Sequence, residues 1–203
     1  MASAVLVVAV THALLPASFR LAPGWSFQLL LAVFLAVLVV GDPGRIDRPR
    51  LWLHVVTEVM IAFIAAVNTV SALRLVDDIL GRSPFSARQL LLIGGVVWLT
   101  NVIVFALWFW DLDGGGAAER AVRSSPARLA FIFPEMAHPD RVGAEWSPQF
   151  VDYLTMSFNT ATAFSPTDVS AIRPWAKLLS MLEAAVSLVV ALLVIARAVN
   201  ILT

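Results

Sequence analysis

Ser180, Glu183 and Ser187 are spaced three and then four residues apart inside an apolar run, so a helix puts them on one face. Ala191 and Val194 continue that face with small and medium residues. An ionisable side chain inside a membrane-length segment is expensive, and it usually faces a bundle interior or a water-filled cavity. Two readings of Glu183 stay open. It is a cation site or pH sensor on a pore-lining face, or it is protonated or hydrogen-bonded to another helix. A second group precedes it in "NTATAFSPTD", residues 159–168. Thr160, Thr162, Ser165 and Thr167 offer hydroxyls there, and Asp168 offers a carboxylate. Repeated around a symmetric oligomer, Asp168 would form a charged ring that favours cations. Equally, Asp168 caps the turn or pairs with Arg173 or Lys177.

Other chemistry is poorly supplied. Glu58, Asn68, Thr100 and Asn101 also lie within apolar runs, where most such residues act as glue between helices. A pairing of Glu58 with Asn101 is one such option. His12, His54 and His138 are isolated, with no metal-ligand spacing, and no cofactor is implied. The absence of cysteine excludes a disulfide framework and a thiolate site. "GDPGR" and "DLDGGG" lack the glycine–lysine–hydroxyl pattern of a phosphate loop. No nucleophile elbow occurs, so an enzyme is not expected. The basic residues are scattered and the net charge is zero, which points away from nucleic acid.

The elements that must position these residues are membrane helices. Of the 203 residues, 60% are hydrophobic and only 14% are charged, against roughly 25% charged in an average soluble domain. Runs of about 18 or more apolar residues read as membrane spans. The pattern predicts spans at residues 2–18, 25–40, 51–75, 87–110 and 175–201. The first resembles a signal-peptide core but lacks a basic start, and it reads as a short span. Ser86 is placed to cap the fourth span, whose Trp108 and Trp110 sit where an aromatic belt would. Gly and Pro in "GDPGRIDRPR" and "DDILGRSPF" mark exposed connections. Three regions follow: a four-helix membrane region over 1–111, a polar loop over 112–147, and a last unit over 148–203. Within the loop, "ARLAFIFPEM" is apolar enough to lie on the membrane surface or pack on neighbours. Ser147 and Pro148 form a helix start. The helix over 148–162 would be ~22 Å long, too short for a ~30 Å hydrocarbon core, so it must enter and return. Pro174 then opens the last span.

Residues 152–201 resemble the pore module of potassium-channel-type pore-loop proteins. In that family a pore helix leads into a Thr-Val-Gly-Tyr-Gly-Asp filter and a lining helix. "NTATAFSPTD" aligns without gaps to the end of the pore helix, the filter and its Asp. Trp175, Ala176 and Lys177 match the family's aromatic, small and basic positions. Ala163, Phe164, Ser165, Pro166 and Thr167 replace the filter residues, and both glycines are absent. Pro166 fixes its own φ and restricts Ser165, so a potassium-type carbonyl ladder is not expected. The whole chain also resembles an uncharacterised family of bacterial integral membrane proteins of similar length.

The expectation is therefore an all-α membrane protein with about five transmembrane helices and one re-entrant pore-type helix and loop before the last span. The resemblance implies a homo-oligomer in the bilayer, a tetramer by family precedent with a pentamer allowed. It further implies a channel-like, weakly selective pore for monovalent cations in the bacterial cytoplasmic membrane. The alternatives are a non-conducting structural or partner-binding protein, signalled by the lost glycines, and a proton-coupled carrier using Glu183 or Glu58. Loop charge conflicts with the resemblance over orientation. Arg45, Arg48, Arg50, Arg120, Arg123, Arg128, Arg141, Arg173 and Lys177 fall on one side, and Arg20, Arg74, Arg82, Arg88 and Arg197 on the other. The first side would be cytoplasmic by charge and external by resemblance. The reading adopted has the re-entrant loop outside and the C-terminus inside.

Overall fold

The structure is a computed structural model that describes residues 1–20, 23–41, 51–81, 85–116, 119–120, 129–143, 146–162 and 168–202. Its helices are α1 (Ala2–Ala13), α2 (Gly24–Gly41), α3 (Leu51–Leu80), α4 (Ala87–Leu112), α5 (Pro139–Val142), α6 (Phe150–Thr162) and α7 (Pro174–Leu202). A two-residue antiparallel ladder joins β1 (Phe131–Ile132) to β2 (Ser170–Ala171). Three helices, α3, α4 and α7, are long and apolar enough to cross a membrane. At 30, 26 and 29 residues, each exceeds a ~30 Å hydrocarbon core at about 1.5 Å per residue. The chain is an integral membrane protein. Helices α1 and α2 are apolar but shorter. The 12 residues of α1 give ~18 Å.

Helix α4 forms the centre. Of its most apolar window 72% is buried, against 22% for α7, so α4 is enclosed while α7 keeps an outer face. Val5 and Val8 of α1, Phe27 and Leu31 of α2, and Ile61 and Ile64 of α3 pack with Ile103 and Leu107 on one side of it. Towards its start, Leu90, Ile93 and Val97 meet Leu75 of α3 and Val190 and Val194 of α7. Ser86 caps α4 as the sequence suggests. The Ser86 hydroxyl accepts from Gln89 N–H, and the Gln89 side chain accepts in return from Ser86 N–H at 2.9 Å.

Helices do not associate in hydrocarbon through the hydrophobic effect, because lipid is as apolar as leucine. Close approach and hydrogen bonds must do it. Gly94 supplies the close approach, since a Cβ there would lie 2.6 Å from a Val194 methyl. Polar anchors fix the linker between α1 and α2 to α3. Arg74 donates to the carbonyls of Ser18 and Arg20 at 3.0 and 2.8 Å, and Ser71 donates to Phe19 O at 3.1 Å.

The boundaries differ from the sequence reading in three places. Helix α1 stops at Ala13, ahead of Pro16, where the sequence suggested a span to residue 18. Helix α3 continues through Asp77 and Asp78 to Leu80, where the sequence suggested a connection. Acids disfavour a helix C-terminus, but burial of Ile79 against the Leu75–Leu90 cluster holds the turn. Helix α6 begins at Phe150 rather than Pro148, and Ser147 does not cap it. Asp152 in the first turn accepts Gln149 N–H at 2.7 Å instead, placing its charge where the helix dipole favours an anion. "AFIF" packs on neighbours: Phe131 and Phe133 are buried with Phe105 and Phe109 of α4, Tyr153 of α6 and Ala176 of α7.

Gly94→Ala should destabilise the full chain in detergent by about 1–3 kcal/mol through overpacking. Gly95→Ala, at a neighbouring site with open space around it, should be neutral or stabilising by up to about 1 kcal/mol through helix propensity. Thermal unfolding followed by helical circular dichroism distinguishes the two.

Candidate functional site

The polar face of α7 is turned into the chain. Glu183 and Ser187 are fully buried and Val194 nearly so, while Ser180 and Ala191 are half-buried. Ser180 donates to Ala176 O of its own helix at 3.0 Å. Asn101 of α4 donates to Ser187 Oγ at 2.9 Å, so Asn101 is joined to α7 and not to Glu58. Ser157 of α6 lies 2.7 Å from Val102 O and is also hydrogen-bonded to Glu183. One hydroxyl proton cannot serve two acceptors. The set closes when the Glu183 carboxyl carries a proton and donates to Ser157 Oγ, which donates to Val102 O. Glu183 Oε2 is buried without a partner among the described residues.

Of the hydroxyls of "NTATAFSPTD", the two in described residues turn back onto their own helix. Thr160 donates to Met156 O at 2.9 Å and Thr162 to Asn159 O at 3.0 Å, both back into α6. Asp168 is exposed. Ala163, Phe164, Ser165, Pro166 and Thr167 lie outside the described residues.

Two further clusters at the C-terminal end of α4 were not legible as sites. The first centres on Asp113, which is fully buried. Its carboxylate accepts Ala130 N–H at 2.6 Å and the Tyr153 hydroxyl at 2.5 Å, tying the segment before β1 and helix α6 to the end of α4. Burial, reinforced by the Asp113 charge, raises the Tyr153 hydroxyl above the usual phenol range despite nearby Arg120, so it remains a donor. Arg120 donates to Trp110 O at 2.8 Å and to Asp113 O, and its guanidinium lies over the Trp110 and Tyr153 rings at 5.8 and 5.4 Å. The chain reaches this arrangement because Gly114, Gly115 and Gly116 all take positive φ, which side chains resist.

The second cluster is His54, Glu58 and Asp111. His54 and Glu58 are four residues apart on one face of α3, and Asp111 of α4 meets them. His54 Nδ1 is 3.2 Å from Asp111 Oδ2. That is an ion-pair distance without hydrogen-bond alignment, since Asp111 Oδ2, like Glu58 Oε1, has no hydrogen-bond partner. The sequence treats His54 as isolated because its nearest ligating neighbour on another helix is 57 positions away. The one local hint is the 54/58 spacing.

A cavity of about 480 Å³ opens between α3, α4 and α7, bounded by Asn68, Thr69, Asn101, Trp108 and Val186. Its described lining residues include no titratable side chain. Comparison with protein-family models, curated proteins and solved structures finds no match.

Tyr153→Phe should leave the buried Asp113 carboxylate short of a donor and destabilise the protein by about 1–3 kcal/mol. Hydrogen exchange at Ala130 N–H should accelerate with it. Unchanged exchange there would separate Asp113 from the folding of this segment.

Proposed function

We propose that the chain is a non-conducting integral membrane protein in which a pore-loop-type unit has become a packing module. The unit comprises α6 and α7. Helix α6 has 13 residues, or ~20 Å, and enters the bilayer without crossing it. Helices α1 and α2 form a hairpin that completes the set of about five membrane helices. The setting proposed is the cytoplasmic membrane of a bacterium, with copies of the chain associating through the outer face of α7. Leu178, Met181, Leu188, Leu192 and Ile195 are exposed on that helix.

One observation carries the reading. The face of α7 that would have to line a pore is enclosed by α4 and α6, with Glu183 and Ser187 at zero exposure. A conducting path needs rings of carbonyls or polar side chains open to the ion, whereas Ser187 is bonded to Asn101 of α4 and Glu183 to Ser157 of α6. The lost filter glycines support the same conclusion.

A second reading keeps a weakly selective pore for monovalent cations, with four copies by family resemblance. What favours it is Glu183 Oε2, buried without a partner at mid-helix. Such residues inside membranes commonly mark ion or proton paths.

Reconstitution of the full chain in planar bilayers tests the two. The non-conducting reading expects no unitary current across voltage and pH with the protein intact. It also expects Glu183→Gln to fold, since an amide still donates to Ser157. Unitary current that Glu183→Gln alters in size or pH dependence would overturn it.

A further inference from the structure

We infer that His54, Glu58 and Asp111 bind a divalent transition-metal ion of the zinc class at the end of the α3–α4 pair. Each residue offers one ligand atom, and the three atoms lie within 4.8 Å of one another. Ligands around a tetrahedral ion at ~2.1 Å stand roughly 3.4 Å apart, so a small closing rotation of the carboxylates completes the set. One imidazole with two carboxylates is a nitrogen–oxygen donor set. Imidazole selects zinc-like ions over magnesium or calcium, and the two carboxylates neutralise the divalent charge.

The two carboxylates point to a ligand here. Asp111 is 6% exposed, and its Oδ2 faces His54 without a hydrogen-bond donor. Glu58 Oε1 is likewise buried and unbonded. Buried carboxylate oxygens normally find donors, and a cation serves both at once. Gly116, at φ +91°, closes over the cluster. A Cβ there would meet Asp111 Oδ1 at 3.6 Å and His54 Nδ1 at 3.8 Å, both ordinary contact distances, so the residue borders the cluster. Access comes through His54, whose side chain is 41% exposed. Arg120 is engaged by the Trp110 and Asp113 carbonyls.

The experiment uses the tag-free full chain in detergent, stripped with chelator and then titrated with Zn²⁺ by calorimetry. Co²⁺ uptake is followed in parallel by visible absorption. The expected result is one equivalent bound. His54→Gln and Glu58→Gln, each checked for native helicity, should weaken binding by at least about 10-fold, the lower end of what losing even an outer-shell partner costs. His138→Ala, on an exposed residue, should bind like the parent. Failure of the parent to bind would overturn the site, because the carboxylates would then share a proton instead. Binding that survives both glutamine variants would overturn it too.

Discussion

Helix α4 is surrounded by its own chain, and this enclosure governs the rest of the structure. A helix facing lipid can carry only apolar side chains, but an enclosed one must satisfy whatever polar groups it carries through its neighbours. Asn101 reaches Ser187 of α7. The Val102 carbonyl takes the Ser157 hydroxyl of α6, which also bonds Glu183. These bonds fix the rotation of α7 about its axis, because a turn of that helix would strand a carboxyl group in an apolar setting. Gly94 against Val194 fixes the separation of the same pair.

The end of α4 obeys the same rule with stronger groups. Asp111 lies in the last turn of α4, while Asp113 follows its end with extended backbone angles, and the two recruit different partners. Asp111 meets α3, and Asp113 gathers the segment at Ala130 and Tyr153 of α6. The triple glycine lets the backbone reverse immediately afterwards. Arg120 is thereby brought back under α4, where it joins two carbonyls and two aromatic faces. What reads along the chain as a polar connection is, at its ends, part of an aromatic core of Phe109, Phe131, Phe133 and Tyr153.

Much of the frame was legible residue by residue. Ser86 with Gln89 three positions on is a local capping pattern, and it forms as read. Pro174 opens α7 because a helix tolerates proline in its first turn. The common face of Ser180, Glu183 and Ser187 follows from helical periodicity. What that face meets does not. Periodicity says that residues share a side, while the object on that side belongs to another helix. Ser157, one hydroxyl in a short amphipathic helix, carries no mark of its role as the partner of Glu183. Asp111 and Asp113 read as the charged stop of an apolar run, and their burial depends on segments that arrive later in the chain.

The sequence by itself determined that this is a helical membrane protein, where α4 and α7 begin, and that Glu183 shares a face with Ser180 and Ser187. Those properties depend on composition and on neighbours within a turn or two, where backbone sterics and hydrogen bonding act. Only the tertiary structure decided that the Glu183 face is closed by α4 and α6, and that His54, Glu58 and Asp111 converge. The physical reason is that satisfaction of a buried polar group is a property of contacts. Those contacts are made between residues as far apart as 101 and 187, with no imprint on the spacing of either segment.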